Sequence, residues 1–161
     1  MEVNIEMYPK VAIIILNWNG WKDTIKCLES LYRVTYPNCD VIVVDNHSTD
    51  NSIEKIENWA YNNSIYIVKY TESQAKKGGC PKKEKYLSKL PSNKKIRFIT
   101  NNENYGFAIG NNIAILYALK ALNPRYILLL NNDTVVDQNF LTELVKKSEI
   151  DSKVGIAGPK I

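Results

Sequence analysis

The sequence has few of the residues on which several common classes of protein depend. It contains one histidine, His47, and three cysteines, Cys27, Cys39 and Cys80, which form no Cys-x-x-Cys pair. A single histidine excludes a histidine-based metal cluster or catalytic triad within one chain, and we expect His47 to occupy a turn. An odd number of scattered cysteines favours reduced thiols over a disulfide framework.

Apolar runs long enough to cross a membrane are also missing. No run approaches the ~18–20 residues that a membrane span needs. The N-terminus carries Glu2 and Glu6 and has no long apolar segment after a basic start. We therefore expect the chain to stay in the cytoplasm.

Two common nucleotide-binding motifs are absent. The sequence contains no GxxxxGK[ST] phosphate loop, and no GxGxxG follows the first predicted strand. Neither an ATPase nor a dinucleotide-dependent dehydrogenase is therefore supported. If the protein binds phosphate groups, other residues must hold them.

The size and composition are those of one globular domain. The 161 residues are 45% apolar and 24% charged, which is typical of a folded protein that needs neither a metal nor a disulfide for its core. We therefore expect residues 1–161 to form a single domain.

Positive charge is concentrated in one part of the chain. Residues 69–97 contain ten lysines and arginines and only two acidic residues. Within this segment, residues 74–93 show no clear periodicity, so we interpret them as a lysine-rich insertion. This insertion is either a solvated loop or a basic flap near anionic phosphates or an anionic membrane surface. Nucleic acid is disfavoured, because Tyr70, Tyr86 and Phe98 are too scattered for a stacking platform.

Short apolar runs alternate with stretches of helical periodicity. The predicted strands cover residues 11–16, 41–44, 64–70, 96–99 and 126–130, and a further strand begins at 154–159. The predicted helices cover residues 22–33, a stretch capped by Ser48 or Thr49, residues 107–122 with Ile109, Ile113, Leu116, Ala118 and Leu119 in a mostly buried helix, and a stretch capped by Asp137.

This alternation predicts an α/β fold with a mostly parallel sheet flanked by helices and joined by right-handed crossovers. Continuous apolar runs without polar alternation are typical of strands that are covered on both faces. In such sheets, ligands bind in the crevice outside the carboxyl ends of the strands. We therefore look for the functional site at that edge.

Polar side chains follow each of four predicted strands. Since loops favour Asn and Asp for their own conformational reasons, any one of these groups is explained equally well by a turn. Four groups at one edge favour a shared ligand site, and Asp133 is the carboxylate there that could bind a hard divalent cation. The groups are Asn17 with Asn19, Asp45 with Asn46, Asn101 to Asn104, and Asn131 to Asp133.

Three segments, in this order along the sequence, resemble family 2 inverting glycosyltransferases of the GT-A fold, a Rossmann-like fold that binds nucleotide sugars. They are residues 11–20, 41–50 and 131–133. A fourth segment, 104–112, has the pattern N-x-G-F-x-x-G-N-N and is similar to the rhamnosyltransferase-like branch of that family. The resemblance covers most of the chain except residues 74–93.

The resemblance implies a site for a nucleoside-diphosphate sugar. It places the DxD motif of the family on Asn131, Asn132 and Asp133, and it implies that Asp133 binds Mn²⁺ or Mg²⁺ beside the diphosphate. Asn131 and Asn46 replace carboxylates of the family pattern, so Asp133 is the one carboxylate left in the DxD position. The implied contacts of the donor are Leu16, Asn17, Asn19, Asp45, Asn46, Asn104, Gly106, Asn111, Asn131 and Asn132.

Several of these residues also have simpler explanations. Trp18 either stacks on a base or sugar or shields the edge of the sheet. Gly106 and Gly110 favour a turn and close packing over phosphate contact. Asn111 and Asn112, near a predicted helix start, either meet phosphate oxygens or form local caps.

The sequence offers no general base for the transfer reaction. Glu143, Glu149 and Asp151 fall in or after a predicted surface helix, where solvated charges are expected. We therefore predict the donor-binding domain of an inverting, metal-assisted hexosyl- or rhamnosyltransferase-like enzyme, with the acceptor-binding part elsewhere and the acceptor unidentified. The alternatives are a non-catalytic sugar-nucleotide-binding module or partner subunit, and a regulatory domain with Asp45 as an acidic switch. The switch is disfavoured, because strand one offers only Asn17 and Asn19 beside it.

Overall fold

Each predicted apolar run except the one at 154–159 forms a strand of one sheet in the computed structural model, which describes residues 7–151 and 153–158. All the strand pairs are parallel, in the order β3-β4-β2-β1-β5. The strands are β1 (Val11–Asn17), β2 (Cys39–Asp45), β3 (Tyr66–Thr71), β4 (Lys95–Thr100) and β5 (Tyr126–Asn131).

Helices cover both faces of this sheet. They are α1 (Trp21–Leu31), α2 (Ser52–Asn62), α3 (Glu72–Lys76), α4 (Pro81–Leu87), α5 (Gly106–Ala121) and α6 (Phe140–Ile150), with a single 3₁₀ turn at Ser92–Lys94. Two apolar cores result, one shared by α1, α2 and α6 and the other by α3, α4 and α5. The expectation of an α/β fold with a parallel sheet and two helical layers is confirmed.

The central strands β1 and β2 are apolar without alternation because helices cover both of their faces. Ile13 and Ile15 of β1 pack into the core below α1 and α2, whereas Ala12 and Ile14 pack into the core below α5. All four side chains are fully buried. Because both faces are covered, every position of β1 except its end needs an apolar residue.

Two predicted helix caps are wrong. Helix α2 begins at Ser52 after Asn51, a residue in the left-handed conformation, so neither Ser48 nor Thr49 caps it. Helix α6 begins at Phe140 after Asn139, and the Asp137 carboxylate instead accepts a hydrogen bond of 2.7 Å from the backbone N–H of Asn139. Asp137 therefore orders the turn before α6, whereas Ser48 and Thr49 contact Asn19 in the loop after β1.

The prediction for the buried side of α5 is partly wrong. Ile109, Leu116 and Leu119 are 55%, 38% and 54% exposed. The sheet is instead contacted by small and aromatic side chains, including Ala114 and Tyr117. Since α5 is apolar around most of its circumference, its sequence does not determine which side faces the sheet.

The lysine-rich insertion is not a structureless loop. It contains most of α3 and all of α4, and α4 turns Glu84 and Leu87 toward the sheet. The Glu84 carboxylate accepts hydrogen bonds of 2.8 and 2.9 Å from the guanidinium of Arg97 and bonds of 2.6 and 2.7 Å from the hydroxyls of Tyr117 and Tyr70. Because these partners are largely buried, α4 is attached to β3, β4 and α5 as part of the domain.

The predicted strand at 154–159 is not present in its described part, since residues 153–158 carry no strand and Pro159 lies outside the described residues. Val154 and Ile156 lie beside Tyr126 and Leu128 at the edge of β5. Among the described residues there is no helix with the length and apolar content that a bilayer crossing requires.

Candidate functional site

The strand register brings the predicted site residues to one edge of the sheet. Asn17, the last residue of β1, lies opposite Asp45, the last residue of β2. On the other side of β1, Leu16 lies opposite Asn131. Since all the strands are parallel, the loops after β1, β2, β4 and β5 leave the sheet at this edge.

Asn17 and Asp45 form a buried pair at the centre of this edge. The Asn17 amide donates to one Asp45 carboxylate oxygen at 2.8 Å, and the backbone N–H of Ser48 donates to the other at 2.9 Å. The side-chain oxygen of Asn17 accepts a hydrogen bond of 2.8 Å from the hydroxyl of Thr24. Both side chains are almost fully buried, so they act on the surface of this edge by positioning their neighbours.

Ser48 and Asn19 join the loops after β1 and β2. The backbone N–H of Asn19 donates to the Ser48 hydroxyl at 2.9 Å, and the Asn19 side chain accepts from the backbone N–H of Thr49 at 2.7 Å. Asn19 has a φ of 50°, a conformation that asparagine tolerates. Its side chain and that of Trp18, which is 56% exposed, are accessible to solvent at this edge of the sheet.

Asn46 holds the loop between β4 and α5. Its amide nitrogen donates to Asn104 at 2.6 Å and to the Gly106 carbonyl at 3.2 Å, while its oxygen accepts from the Tyr105 backbone at 3.3 Å and from Asn101 at 3.0 Å. The backbone partners fix which way the amide points. Asn46 is thus buried and fully hydrogen-bonded within the protein.

The two glycines of the N-x-G-F-x-x-G-N-N segment have separate structural roles. Gly106 has a φ of +72°, which allows the turn into α5. A Cβ at Gly110 would lie 2.8 Å from Leu16 and 3.3 Å from Asn46, so this glycine lets α5 approach the site. Asn111 is buried and donates to the Phe107 carbonyl at 2.8 Å, while Asn112 is exposed.

The end of β5 contributes the exposed polar groups. Asn132 donates to the Thr24 hydroxyl at 3.1 Å, which links it through Thr24 to Asn17. Asn131 and Asp133 are exposed, and Asp133 takes part in no hydrogen bond or ion pair with any described residue. Asp133 is therefore a free carboxylate beside the buried network.

Cys27 lies under this loop and is inert. Its thiol is fully buried and contacts the Asn131 carbonyl at 3.7 Å. Burial, and then the nearby negative charge of Asp133, raise the pKa of the Cys27 thiol to about 12. All three cysteines are free thiols, as expected from the sequence.

The donor atoms at the end of β5 fit a hard divalent cation bound together with a substrate. Among the described residues, no group of three or more His, Cys, Asp or Glu side chains could hold a metal by itself. Mg²⁺ in nucleotide sites is usually held by roughly one or two carboxylates plus substrate phosphates and water. Asp133, with the amide oxygens of Asn131 and Asn132 next to it in the chain, supplies oxygen donors of this kind.

Several residues that shape the site were not predicted. Thr24 bridges Asn17 and Asn132 from within α1, and a lone threonine in a helix gives no signal in the sequence. Glu72 accepts from the Tyr105 hydroxyl at 3.0 Å and from the Asn102 backbone at 3.3 Å, so α3 supports the loop after β4. Ser48 was predicted as a possible helix cap, but its hydroxyl instead accepts a hydrogen bond from the backbone of Asn19 and so joins two loops.

The acidic residues near the C-terminus lie away from the site. Glu143, Glu149 and Asp151 are exposed, and Glu149 accepts a hydrogen bond from Tyr126, the first residue of β5. Tyr126 is at the amino end of the strand, opposite the site. His47, with a φ of 65°, is exposed in the turn after β2, as expected.

Solved structures of a mannosyltransferase and of the S. aureus protein TarS share this fold. The mannosyltransferase PcManGT from Pyrobaculum calidifontis, solved with GDP-Man and Mn²⁺, has a TM-score of 0.64 and 19% identity over 88% of this chain and 32% of that chain. S. aureus TarS has a TM-score of 0.56 and 21% identity over 88% of this chain and 20% of that chain. A TarS 1–349 fragment with UDP-GlcNAc has a TM-score of 0.58 and 20% identity over 94% of this chain and 37% of that chain.

This chain thus spans between 20% and 37% of the length of these structures, and at such identities the likeness establishes the fold alone. No curated protein matches the sequence. The profile described as "Glycosyl transferase family 2" matches residues 12–82 and 79–160. Since these matches cover nearly the whole chain, the chain belongs to glycosyl transferase family 2.

Proposed function

We propose that this domain binds the donor of a metal-assisted, inverting sugar transfer from a nucleoside diphosphate to an acceptor hydroxyl. The observation that carries the proposal is that four strands end at one edge of the sheet, where Asp133 is an exposed carboxylate that no described residue engages. Family membership and the likeness to structures solved with GDP-Man and Mn²⁺ or with UDP-GlcNAc support it.

The proposed donor contacts divide into two groups by exposure. Asn19, Asn104 and Asn131 are exposed and can reach a ligand directly, as can the backbone of Gly106. The other proposed contacts are buried or half-buried, and they position the loops that carry the exposed residues. They are Leu16, Asn17, Asp45, Asn46, Asn111 and Asn132. Direct contact of Asp45 and Asn46 with the base or ribose requires that a donor displace part of their internal hydrogen bonding.

Asp133 is the proposed ligand of Mn²⁺ or Mg²⁺. When bound, such an ion neutralises the diphosphate and draws off negative charge as the leaving group departs. The protein contributes Asp133 as a carboxylate that no described residue engages, and Thr24 fixes the neighbouring Asn132 at 3.1 Å. With a single carboxylate, we expect the ion to bind together with the nucleotide.

A second candidate function is a sugar-nucleotide-binding module without turnover. It is favoured by the position of Glu149, which accepts a hydrogen bond from Tyr126 at the amino end of β5 and so does not serve as a general base at the carboxyl edge. Acceptor-dependent release of the nucleoside diphosphate would support the transferase. The rhamnosyltransferase-like assignment rests on residues 104–112 and predicts a preference for a deoxyhexose donor.

Calorimetric titration with a panel of nucleotide sugars, with and without Mn²⁺, tests donor binding and the metal together. We expect Mn²⁺ to strengthen binding to the wild type and Asp133→Ala to abolish that gain. Asp137→Ala is the matched control, because Asp137 is an exposed aspartate nearby that orders its own turn. Equal affinity of the wild type and Asp133→Ala with and without Mn²⁺ would contradict the metal assignment, and no binding of any donor would contradict the function.

A further inference from the structure

Helix α4 presents lysines to solvent beside its buried contacts, and the ammonium group of one of them, Lys83, lies 5.7 Å from the centroid of the buried Tyr70 ring. Glu84 and Leu87 face the sheet, while the lysines before, between and after them are exposed. We call these residues, together with Lys77 at the end of α3, the lysine face. It consists of Lys77, Lys82, Lys83, Lys85 and Lys89.

The charge of the lysine face is not neutralised by neighbouring acids. Lys76 pairs with Glu72, and Lys69 pairs with Glu57 at 2.7 Å. No lysine of the lysine face has a carboxylate within 4.0 Å among the described residues. The one acidic residue of α4, Glu84, is directed inward and paired with Arg97 at 2.8 Å. A surface with several uncompensated charges of one sign is suited to an anionic partner.

This surface lies away from the proposed donor crevice. The anchors of α4 are Arg97 and Lys95, whose ammonium group donates to the Leu87 carbonyl at 3.1 Å. Lys95 is the first residue of β4, and both cations pair with Asp40 near the start of β2. The anchor therefore lies at the amino ends of the strands, whereas Asn17 and Asp45 lie at their carboxyl ends. The lysine face is not placed to neutralise the diphosphate of a donor in that crevice.

Two exposed tyrosines accompany the lysines. Tyr86 of α4 and Tyr66 of the edge strand β3 are 50% and 47% exposed, and their rings pack edge to face with centroids 5.1 Å apart. Lys82 precedes Tyr86 by one helical turn, so both lie on the same side of α4. Tyrosine combined with lysine is typical of surfaces that lie at the boundary between lipid headgroups and water.

We propose that the lysine face, with Tyr66 and Tyr86, binds the surface of an anionic lipid bilayer. A nucleic acid fits this surface less well, because the two rings pack against each other instead of forming an open stacking platform. In addition, the arginine of this region, Arg97, is buried and engaged by Asp40 and Glu84, so no planar guanidinium is offered to phosphates. Binding of this kind is independent of the proposed donor site.

Vesicle cosedimentation of the 161-residue chain tests the proposal. We expect binding to phosphatidylcholine vesicles that contain phosphatidylglycerol, no binding to phosphatidylcholine alone, and release at high salt because exposed charges are then screened. The triple variant K82Q/K83Q/K85Q should bind about a hundredfold more weakly. Each lysine near an anionic surface strengthens binding by about fivefold, and the three factors multiply. Tyr86→Ser should reduce the binding that persists at intermediate salt.

The triple variant K146Q/K147Q/K153Q is the matched control. It removes the same formal charge from exposed positions in and after α6, and it should bind vesicles as the wild type does. An equal loss in both triple variants, or binding to a single-stranded oligonucleotide as tight as binding to the anionic vesicles, would overturn the proposal. Donor titration of K82Q/K83Q/K85Q should match the wild type, so a failure of membrane binding is distinguishable from a failure of the proposed function.

Discussion

The amide of Asn17 donates to the carboxylate of Asp45 across 2.8 Å, and this bond joins the last residues of the two central strands. The pair is buried, and each member has further partners, Thr24 for Asn17 and Ser48 for Asp45. The polar ends of two apolar strands therefore form one network beneath the proposed donor site. Its geometry depends on donors facing acceptors at every contact.

This complementarity predicts the behaviour of a residue swap. In the wild type, two N–H donors face the Asp45 carboxylate. In Asp45→Asn, one of these donors would face the new side-chain NH₂ group, and the unsatisfied contact should lower the free energy of unfolding by about 1–3 kcal/mol. The double variant N17D/D45N restores a donor opposite each acceptor and should recover much of this loss. Urea unfolding measures both variants, and a double variant less stable than Asp45→Asn would contradict the assigned orientation.

Gly110→Ala should be destabilising although it lies within a helix. Alanine in place of glycine ordinarily stabilises a helix by about 1 kcal/mol, but here the new Cβ would lie 2.8 Å from Leu16. We expect a net loss of about 1–3 kcal/mol from overpacking, measured by urea unfolding. Leu16→Val should relieve the loss in the double variant, and Asn112→Ala, at an exposed position of the same helix, should cause none.

Asp40 should make stability depend on pH in the acid range. Burial alone would raise the pKa of this carboxyl, but Arg97 and Lys95 outweigh burial and hold it below its usual value of 3.8. The stabilisation is therefore complete above 3.8 and is lost as the pH falls through the lower folded-state pKa. Asp40→Asn should cost about 3–5 kcal/mol at neutral pH, because it leaves buried cations uncompensated.

Urea unfolding at a series of pH values measures this dependence. The difference in unfolding free energy between the wild type and Asp40→Asn should narrow as the pH falls below 3.8. Asp23→Asn, at an exposed position of α1, is the charge-matched control and should show no such difference at neutral pH. A constant difference between the wild type and Asp40→Asn at all pH values would contradict the assignment.

The three cysteines should differ in their reactivity toward alkylating reagents. A hydrogen bond from the backbone N–H of Lys83 lowers the pKa of Cys80, whereas burial raises the pKa of Cys27 to about 12 and that of Cys39 to about 11. Since the thiolate is the reactive form, iodoacetamide should label Cys80 first in the native protein. Mass spectrometry of the labelled peptides measures this order, and Cys80→Ser should abolish the fast reaction. Rapid labelling of Cys27 in native protein would contradict its burial.

The sequence predicted the strands well because a strand covered on both faces must be apolar along its length. The runs in β1 and β2 have this property, and their abrupt polar ends at Asn17 and Asp45 located the site edge. The same logic was insufficient for α5, whose apolar residues surround the helix and leave Ile109 and Leu119 exposed. It was also insufficient for Ser48, because a serine hydroxyl accepts a backbone N–H hydrogen bond both when it caps a helix and when it joins two loops.

The sequence by itself determined the parallel α/β architecture, the edge at which the polar residues meet and the family resemblance, because these depend on local apolar runs and their order. Only the tertiary structure decided which polar side chains are consumed internally, since that depends on contacts between residues far apart in the chain. It buried Asp45 and Asn46, left Asp133 free, and turned Glu84 inward so that the lysines of α4 face solvent. Burial requires a polar group to find a partner, and the fold determines which partners are within reach.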